Sequence, residues 1–144
     1  MSYAVQSDLL TRITPAELTQ LTDDAGIGAP NATTVQANLD RATALIDSYC
    51  RARYQTPLQT SNTATEICID LSVYFLFTRR PQKMRETVRQ SYEDAIAFLK
   101  DISTGKASLD QPAGAPTPQT STASAVKPQH SHLRFGGHNL EGWD

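Results

Sequence analysis

The side chains able to do chemistry in this 144-residue chain are few and poorly spaced for it. Four carboxylates, Asp47, Glu66, Asp70 and Asp94, lie within or beside apolar segments, and a pair of them held face to face could serve as acid and base. Glu66 and Asp70 instead fall in the first two turns of a predicted helix, where negative charge complements the positive end of the helix dipole. All three histidines, His130, His132 and His138, sit in a Pro-, Ser- and Gly-rich stretch near the C-terminus, where a metal would lack a rigid coordination shell. Cys50 and Cys68 each belong to a helical apolar pattern and make no close Cys/His pair of the kind zinc requires, so free buried thiols are expected. The sequence has no GxGxxG, phosphate loop, nucleophile elbow or HExxH motif. Neither catalysis nor a cofactor is expected.

Contact with phosphates is the remaining chemical option. Arg79, Arg80, Lys83, Arg85 and Arg89 form a basic run and are candidates for facing DNA, although Glu86, Glu93 and Asp94 offset part of their charge. The net charge of −2 and pI near 5.9 oppose a protein whose main task is gripping nucleic acid. Arg51 and Arg53 follow the end of a predicted helix, where cations favour the dipole. Tyr49, Tyr54, Tyr74, Phe75, Phe77 and Tyr92 offer rings for stacking a ligand, but their helical spacing assigns them to core and interface packing.

The elements that would position these groups are organised around Thr63 to Arg79, TATEICIDLSVYFLFTR, the most apolar stretch of the chain. Its charge-free part is too short for a membrane span, which needs roughly 20 apolar residues, so a buried helix is expected. Thr63 and Glu66 have the spacing of a capping box. Ile67, Leu71, Tyr74, Phe75 and Thr78 fall on one face, and Ile69, Val73, Leu76 and Phe77 cover most of the opposite one. Such a helix needs neighbours on all sides. The available partners each offer one stripe, which makes Ile69, Val73, Leu76 and Phe77 candidates for contact between subunits as well as for core.

Those partners are predicted as follows. Residues 1–8 read as an extended lead-in. Thr14-Pro15-Ala16-Glu17 combines an N-cap, a proline at the first helical position and a capping-box glutamate, and a short helix should run from Pro15 to about Thr22. Val35, Leu39, Ala42, Ile46, Tyr49 and Cys50 mark an amphipathic helix from Thr33 or Thr34 to about Tyr54. After Pro81, a further helix should begin near Gln82 and carry Met84, Val88, Tyr92, Ala95, Ile96, Leu99 and Ile102 on its buried stripe, with Gly105 as a left-handed terminus. The expected class is all-α: one short and three long helices in residues 1–109. Residues 110–132 are a Pro/Ser/Thr/Ala-rich linker unable to bury enough surface to order itself. Residues 133–144 regain apolar character and read as a docking peptide, with Arg134, Phe135, Leu140 and Trp143 as its anchors. Residues 1–10 show no secretory signal pattern, and use without crossing a membrane is expected.

These pieces together resemble a known family. Tyr3-Ala4 with Asp8-Leu9, Glu17-Leu18-Thr19-Gln20-Leu21-Thr22-Asp23, and Ala44-Leu45-Ile46-Asp47-Ser48-Tyr49 with Arg53-Tyr54 and Pro57-Leu58 look like the small head-tail joining proteins of Mu-like phages and prophages. Tyr74, Arg80 and the series Tyr92, Ala95, Leu99, Ile102, Gly105 and Leu109 are similar to that family's last two helices. Arg134-Phe135 and Leu140-Glu141-Gly142-Trp143 resemble its short C-terminal motif. Cys50 departs from the aliphatic residue expected there, and the tail is unusually long in Pro, Ser and Thr.

The resemblance implies a virion neck protein made in the host cytoplasm, with no catalysis and no cofactor. It would be an adaptor between portal and tail, a homo-oligomeric ring of about twelve copies through which DNA passes. The implied partners are the portal protein, gripped by a C-terminal arm, and the tail or a tail-terminator or stopper protein. A DNA-binding packaging or regulatory protein is the alternative, with Ile13 to Leu21 and Val35 to Tyr54 read as helix-turn-helix-like. A small helical enzyme is a weaker one.

Overall fold

The computed structural model describes residues 1–59, 61–80 and 84–110. Five α-helices follow one another: α1 (Gln6–Leu9), α2 (Pro15–Thr22), α3 (Ala32–Cys50), α4 (Asn62–Thr78) and α5 (Glu86–Thr104). There is no strand among the described residues, and the class is all-α.

Local chemistry explains where each helix starts. In α2, Thr14 Oγ1 accepts from the Glu17 N–H at 3.3 Å and the Glu17 carboxylate accepts from the Thr14 N–H at 2.9 Å, the reciprocal box expected from the sequence. Asn31 caps α3 by accepting from the Thr34 N–H at 3.2 Å. Ser61 caps α4 by accepting from the Ala64 N–H at 3.2 Å, two residues before the expected Thr63. The Thr63–Glu66 spacing imitates a capping box, whereas Ser61 has Ala64 at the third position and so lacks that signature. The turn α1 replaces the expected extended lead-in, because the Asp8 carboxylate accepts from the Val5 N–H at 2.9 Å and Leu9 inserts into the core.

The ends differ in a similar way. Helix α3 stops at Cys50 and not near Tyr54, since the amides of Arg53 and Tyr54 both turn back to the Cys50 carbonyl, at 2.9 and 2.8 Å. Helix α5 starts at Glu86, later than expected, because Arg85 is extended, with ψ 139°. Gly105 closes α5 in the left-handed conformation, with φ 82°.

Helix α4 is the centre of the packing, touching α3 and α5 as well as α1 and α2. Its buried residues include Ile67, Cys68, Ile69, Leu71, Ser72 and Val73 in near succession, and only Asp70 and Tyr74 in its middle are half-buried. The side away from α3 is covered by the N-terminal segment, which runs alongside α4 in the same direction. Thr65 Oγ1 donates to the Tyr3 carbonyl at 2.9 Å, Arg12 reaches Glu66 and Asp70 at 2.8 and 2.9 Å, and Arg79 Nη1 donates to the Leu21 carbonyl at 2.9 Å. Leu9, Ile13, Leu18 and Leu21 from this segment are all buried. Each such side chain stabilises the fold by about 1.5–3 kcal/mol relative to exposure.

Gly105 supplies a direct check on the end of α5. Replacement by Ala imposes a side chain at positive φ and drives its methyl into the Arg53 guanidinium. Gly105→Ala is expected to lose about 1 kcal/mol or more in urea unfolding, and Gly105→Asn less than Ala. Equal stability of all three forms contradicts this placement.

Candidate functional site

Several of the residues that carried the family resemblance, Tyr3, Asp47, Tyr54, Leu58 and Leu109, lie at one end of the bundle, near the last described residue, Asp110. Tyr3 OH donates to the Asp47 carboxylate and accepts from the Leu58 N–H at 2.7 Å, while the Tyr3 N–H donates to Thr43 Oγ1 at 3.2 Å. One tyrosine therefore ties the N-terminus, α3 and the loop before α4. Close by in sequence, Tyr54 OH accepts from the Leu109 N–H at 3.0 Å, and Ser61, the α4 cap, donates its hydroxyl to Asp110 at 2.5 Å. With Leu109 only 7 % exposed, the chain is held up to its last described residue.

Electrostatics at this end favour neutral, unreactive groups. Burial first, and then the hydrogen bond to Asp47, raise the Tyr3 phenol above its ordinary value of 10. Burial and the Asp47 charge push the Cys50 thiol up to about 11, and burial raises Cys68 as well. Both cysteines are free and fully buried, as expected from their helical context. Such thiols stay protonated at neutral pH and are poor nucleophiles. The other candidate carboxylates are also engaged: Glu66 and Asp70 share Arg12, and Asp94 accepts from the Gln90 amide at 2.9 Å.

The described members of the basic run are bound to carboxylates of the same chain. Arg79 and Arg80 both grip Asp24 at 2.7 Å, and Arg80 also donates to the Asp23 carbonyl at 2.8 Å. Arg85 pairs with Glu17, and Arg89 with Glu86 at 2.7 Å and Glu93 at 4.0 Å. These arginines brace the α2–α3 loop and α2 against the end of α4 and the start of α5. They do not form an uncompensated cationic stripe. Asp24 and Glu17 correspondingly sit below their ordinary values, Asp24 through the hydrogen bonds from the two arginines and Glu17 mainly through the Thr14 amide. Lys83 lies outside the described residues, as do Arg134, Phe135, Leu140 and Trp143, the three histidines, and the linker after Asp110.

The face proposed for subunit contact needs correction as to its coverage. Ile69, Val73, Leu76 and Phe77 are 2, 3, 0 and 6 % exposed within one chain, so they are core. The sequence reading undercounted their neighbours, because α1 and the turn leading into α2 supplied cover that an extended lead-in would not. Arg85 adds more by placing its guanidinium 5.8 Å from the centre of the Phe77 ring.

Two surface features take their shape only from the fold. The loop after α2 is built on Asp23, whose carboxylate accepts from the Ile27 and Gly28 amides at 3.0 and 2.7 Å, with Gly26 and Gly28 at positive φ. Its signal was the Asp–Asp–x–Gly–x–Gly spacing, which shows a turn but not that Ile27 projects from it. On the opposite length of α3, Arg41 lies 4.1 Å over the Phe75 ring beside Tyr92, which stacks on Tyr74 at 3.8 Å. Together with Ala44, Leu45 and Ser48 they line an open depression of about 420 Å³. No group of His, Cys, Asp and Glu side chains suited to a metal occurs among the described residues, and none of the described helices is long and apolar enough to cross a membrane.

An all-α body with arginines paired across its elements and a polar latch beside residues 109 and 110 defines a small helical-bundle domain. The sequence matches the family Bacteriophage Mu, Gp36 over residues 3–127, and the chain belongs to that family. It is 34 % identical over 108 residues to Mu-like prophage FluMu protein gp36 of Haemophilus influenzae, the match covering 74 % of each chain. It is 29 % identical over 108 residues to Gene product J of Escherichia phage Mu, again covering 74 % of each chain.

Two measurements test this geometry. Phe77→Asp places a charge in the core and is expected to abolish the cooperative fold, read as lost helical circular dichroism; a stable, helical variant contradicts the burial of this face. Tyr3→Phe strands the Leu58 amide and one side of Asp47, and about 1–3 kcal/mol of stability should go at neutral pH. Because the folded phenol titrates above the unfolded value of 10, the wild-type advantage is complete below pH 10 and declines as pH rises past it. A difference that grows with pH contradicts the latch.

Proposed function

We propose that this protein is a structural component of a Mu-like virion, a head-tail connector that forms a ring between portal and tail and lets DNA through. The observation that carries the reading is membership in the Mu Gp36 family, together with a body in which Arg12, Arg79, Arg80 and Arg85 are spent as braces between elements. On this reading the protein performs no catalysis and needs no cofactor. It works as a rigid ring segment carrying an arm.

The latch at Tyr3, Tyr54 and Ser61 supports the division of labour. It anchors the start of the C-terminal segment on the rigid body, so force on the arm passes through Tyr54 and Ser61 to the turn after α3 and to the start of α4. Arg134, Phe135, Leu140 and Trp143 then serve as anchors on the portal protein, and the opposite end of the ring meets the tail or a terminator or stopper protein. Apolar anchors dominate interfaces of this kind, at about 1.5–3 kcal/mol for each side chain fully buried. DNA passes through the ring without a dedicated grip, since Arg79, Arg80, Arg85 and Arg89 have carboxylate partners.

The test uses the full chain carrying Leu140→Ala and Trp143→Ala, supplied to a phage that lacks its own copy. The particles should accumulate as filled heads and free tails by electron microscopy, and native mass measurement should show binding to purified portal weakened by a factor of roughly ten or more. Normal joining by the double variant refutes the role of the arm. Steeply salt-dependent binding of the wild type to free duplex would favour the DNA-binding alternative.

A further inference from the structure

Among the described residues after Met1, Ile27 is the most exposed large apolar side chain, at 79 %. An exposed isoleucine alone means little, but this one stands on a loop constrained at every step. The Asp23 carboxylate takes the Ile27 and Gly28 amides, the Asp23 carbonyl and Asp24 carboxylate take Arg80 and Arg79, and Thr22 Oγ1 takes the Asn31 N–H at 3.1 Å where the loop closes. Ordering cost is thus met before any partner arrives, which is the condition for an efficient anchor. Among the described residues, the Asp23 carboxylate bonds to loop amides and makes no ion pair, so the apolar tip stands beside a negative charge.

The depression at Arg41, Ala44, Leu45, Phe75 and Tyr92 has the complementary character. It has an aromatic floor, and Arg41 stands at its edge with no carboxylate partner among the described residues. Ile27 cannot fill the depression of its own chain. Its loop is pinned at the N-terminal end of α3, and Arg41 lies nine residues further along that helix, about 14 Å away at 1.5 Å per residue.

Resting on the ring reading above, we infer that the Ile27 loop of one copy seats in the Arg41–Phe75–Tyr92 depression of the next copy, with Asp23 facing Arg41. Tip and depression are different patches of one surface. Their contact is therefore head to tail, and such contacts close into a ring when the rotation allows. An isologous dimer would need one self-complementary patch instead.

The experiment uses the full chain, alone and with portal protein. Ile27→Asp and Arg41→Glu are both at exposed positions and should keep wild-type circular dichroism and thermal midpoint. Each is expected to lower the apparent association constant for ring formation by roughly tenfold or more in native mass measurement. A second pair of variants reads the geometry directly. Cys50 and Cys68 are fully buried, so new surface thiols report alone. A chain carrying both Ile27→Cys and Ala44→Cys should oxidise to a ladder of covalent multimers, while a mixture of the two single variants should stop at dimers. If wild type assembles and Ile27→Asp assembles equally well, or if the mixture forms no more covalent dimer than the single variants form separately, the inference is overturned and the ring reading stands. If wild type assembles neither alone nor with portal, the ring reading fails and takes this inference with it.

Discussion

A helix that is apolar on every side can exist in water only if it is covered on every side, and α4 sets that demand for the whole molecule. Ten of its seventeen residues are buried. Helices α3 and α5 can each present one stripe, so two neighbours leave a strip of α4 open. The N-terminal segment closes the strip by lying along α4 from Thr65 to Arg79, first as a single turn, then as a bend at Ile13, then as α2. Every other feature of the body follows from keeping that strap in place.

The strap is held by charge and by hydrogen bonds more than by its own helical propensity, since four- and eight-residue helices are marginal alone. Arg12 ties it to Glu66 and Asp70, Arg85 to Glu17, and Arg79 and Arg80 to the loop at Asp24. Exposed ion pairs of this type contribute little singly, typically about 0.2–1 kcal/mol. Their value here is positional: they fix the register of a short segment on a long helix. The same commitment removes these arginines from the pool available for phosphates, so one set of residues decides both architecture and the weak case for DNA recognition.

The C-terminal exit applies the same logic to a polar core. Tyr3, Asp47 and the Leu58 amide form a bonded cluster whose members come from three separated stretches, and Tyr54 and Ser61 hold residues 109 and 110 beside it. Partly buried polar groups that find all their partners specify one arrangement of the chain. That specificity fixes residues 109 and 110 on the body of the bundle.

Much of this was legible in the linear chain. The capping box at Thr14–Glu17, the 3.6-residue stripes of α3 and α5, the left-handed Gly105 and the all-round apolarity of α4 are local signals, and each depends on residues within one or two helical turns. The true start of α4 at Ser61, the end of α3 at Cys50 and the turn α1 were not legible, because longer-range partners decide them: Asp110 for Ser61, Leu109 for Tyr54, and the core around Leu9. Likewise Asp47, Glu66 and Asp70 appeared as candidate acids, and only the fold showed them holding Tyr3 and Arg12 from more than forty residues away. The sequence by itself determined that α4 must be covered and which stripes existed to cover it. Tertiary structure decided that one chain supplies the whole cover, because the reach of a strap across a helix depends on pairings that no local pattern encodes.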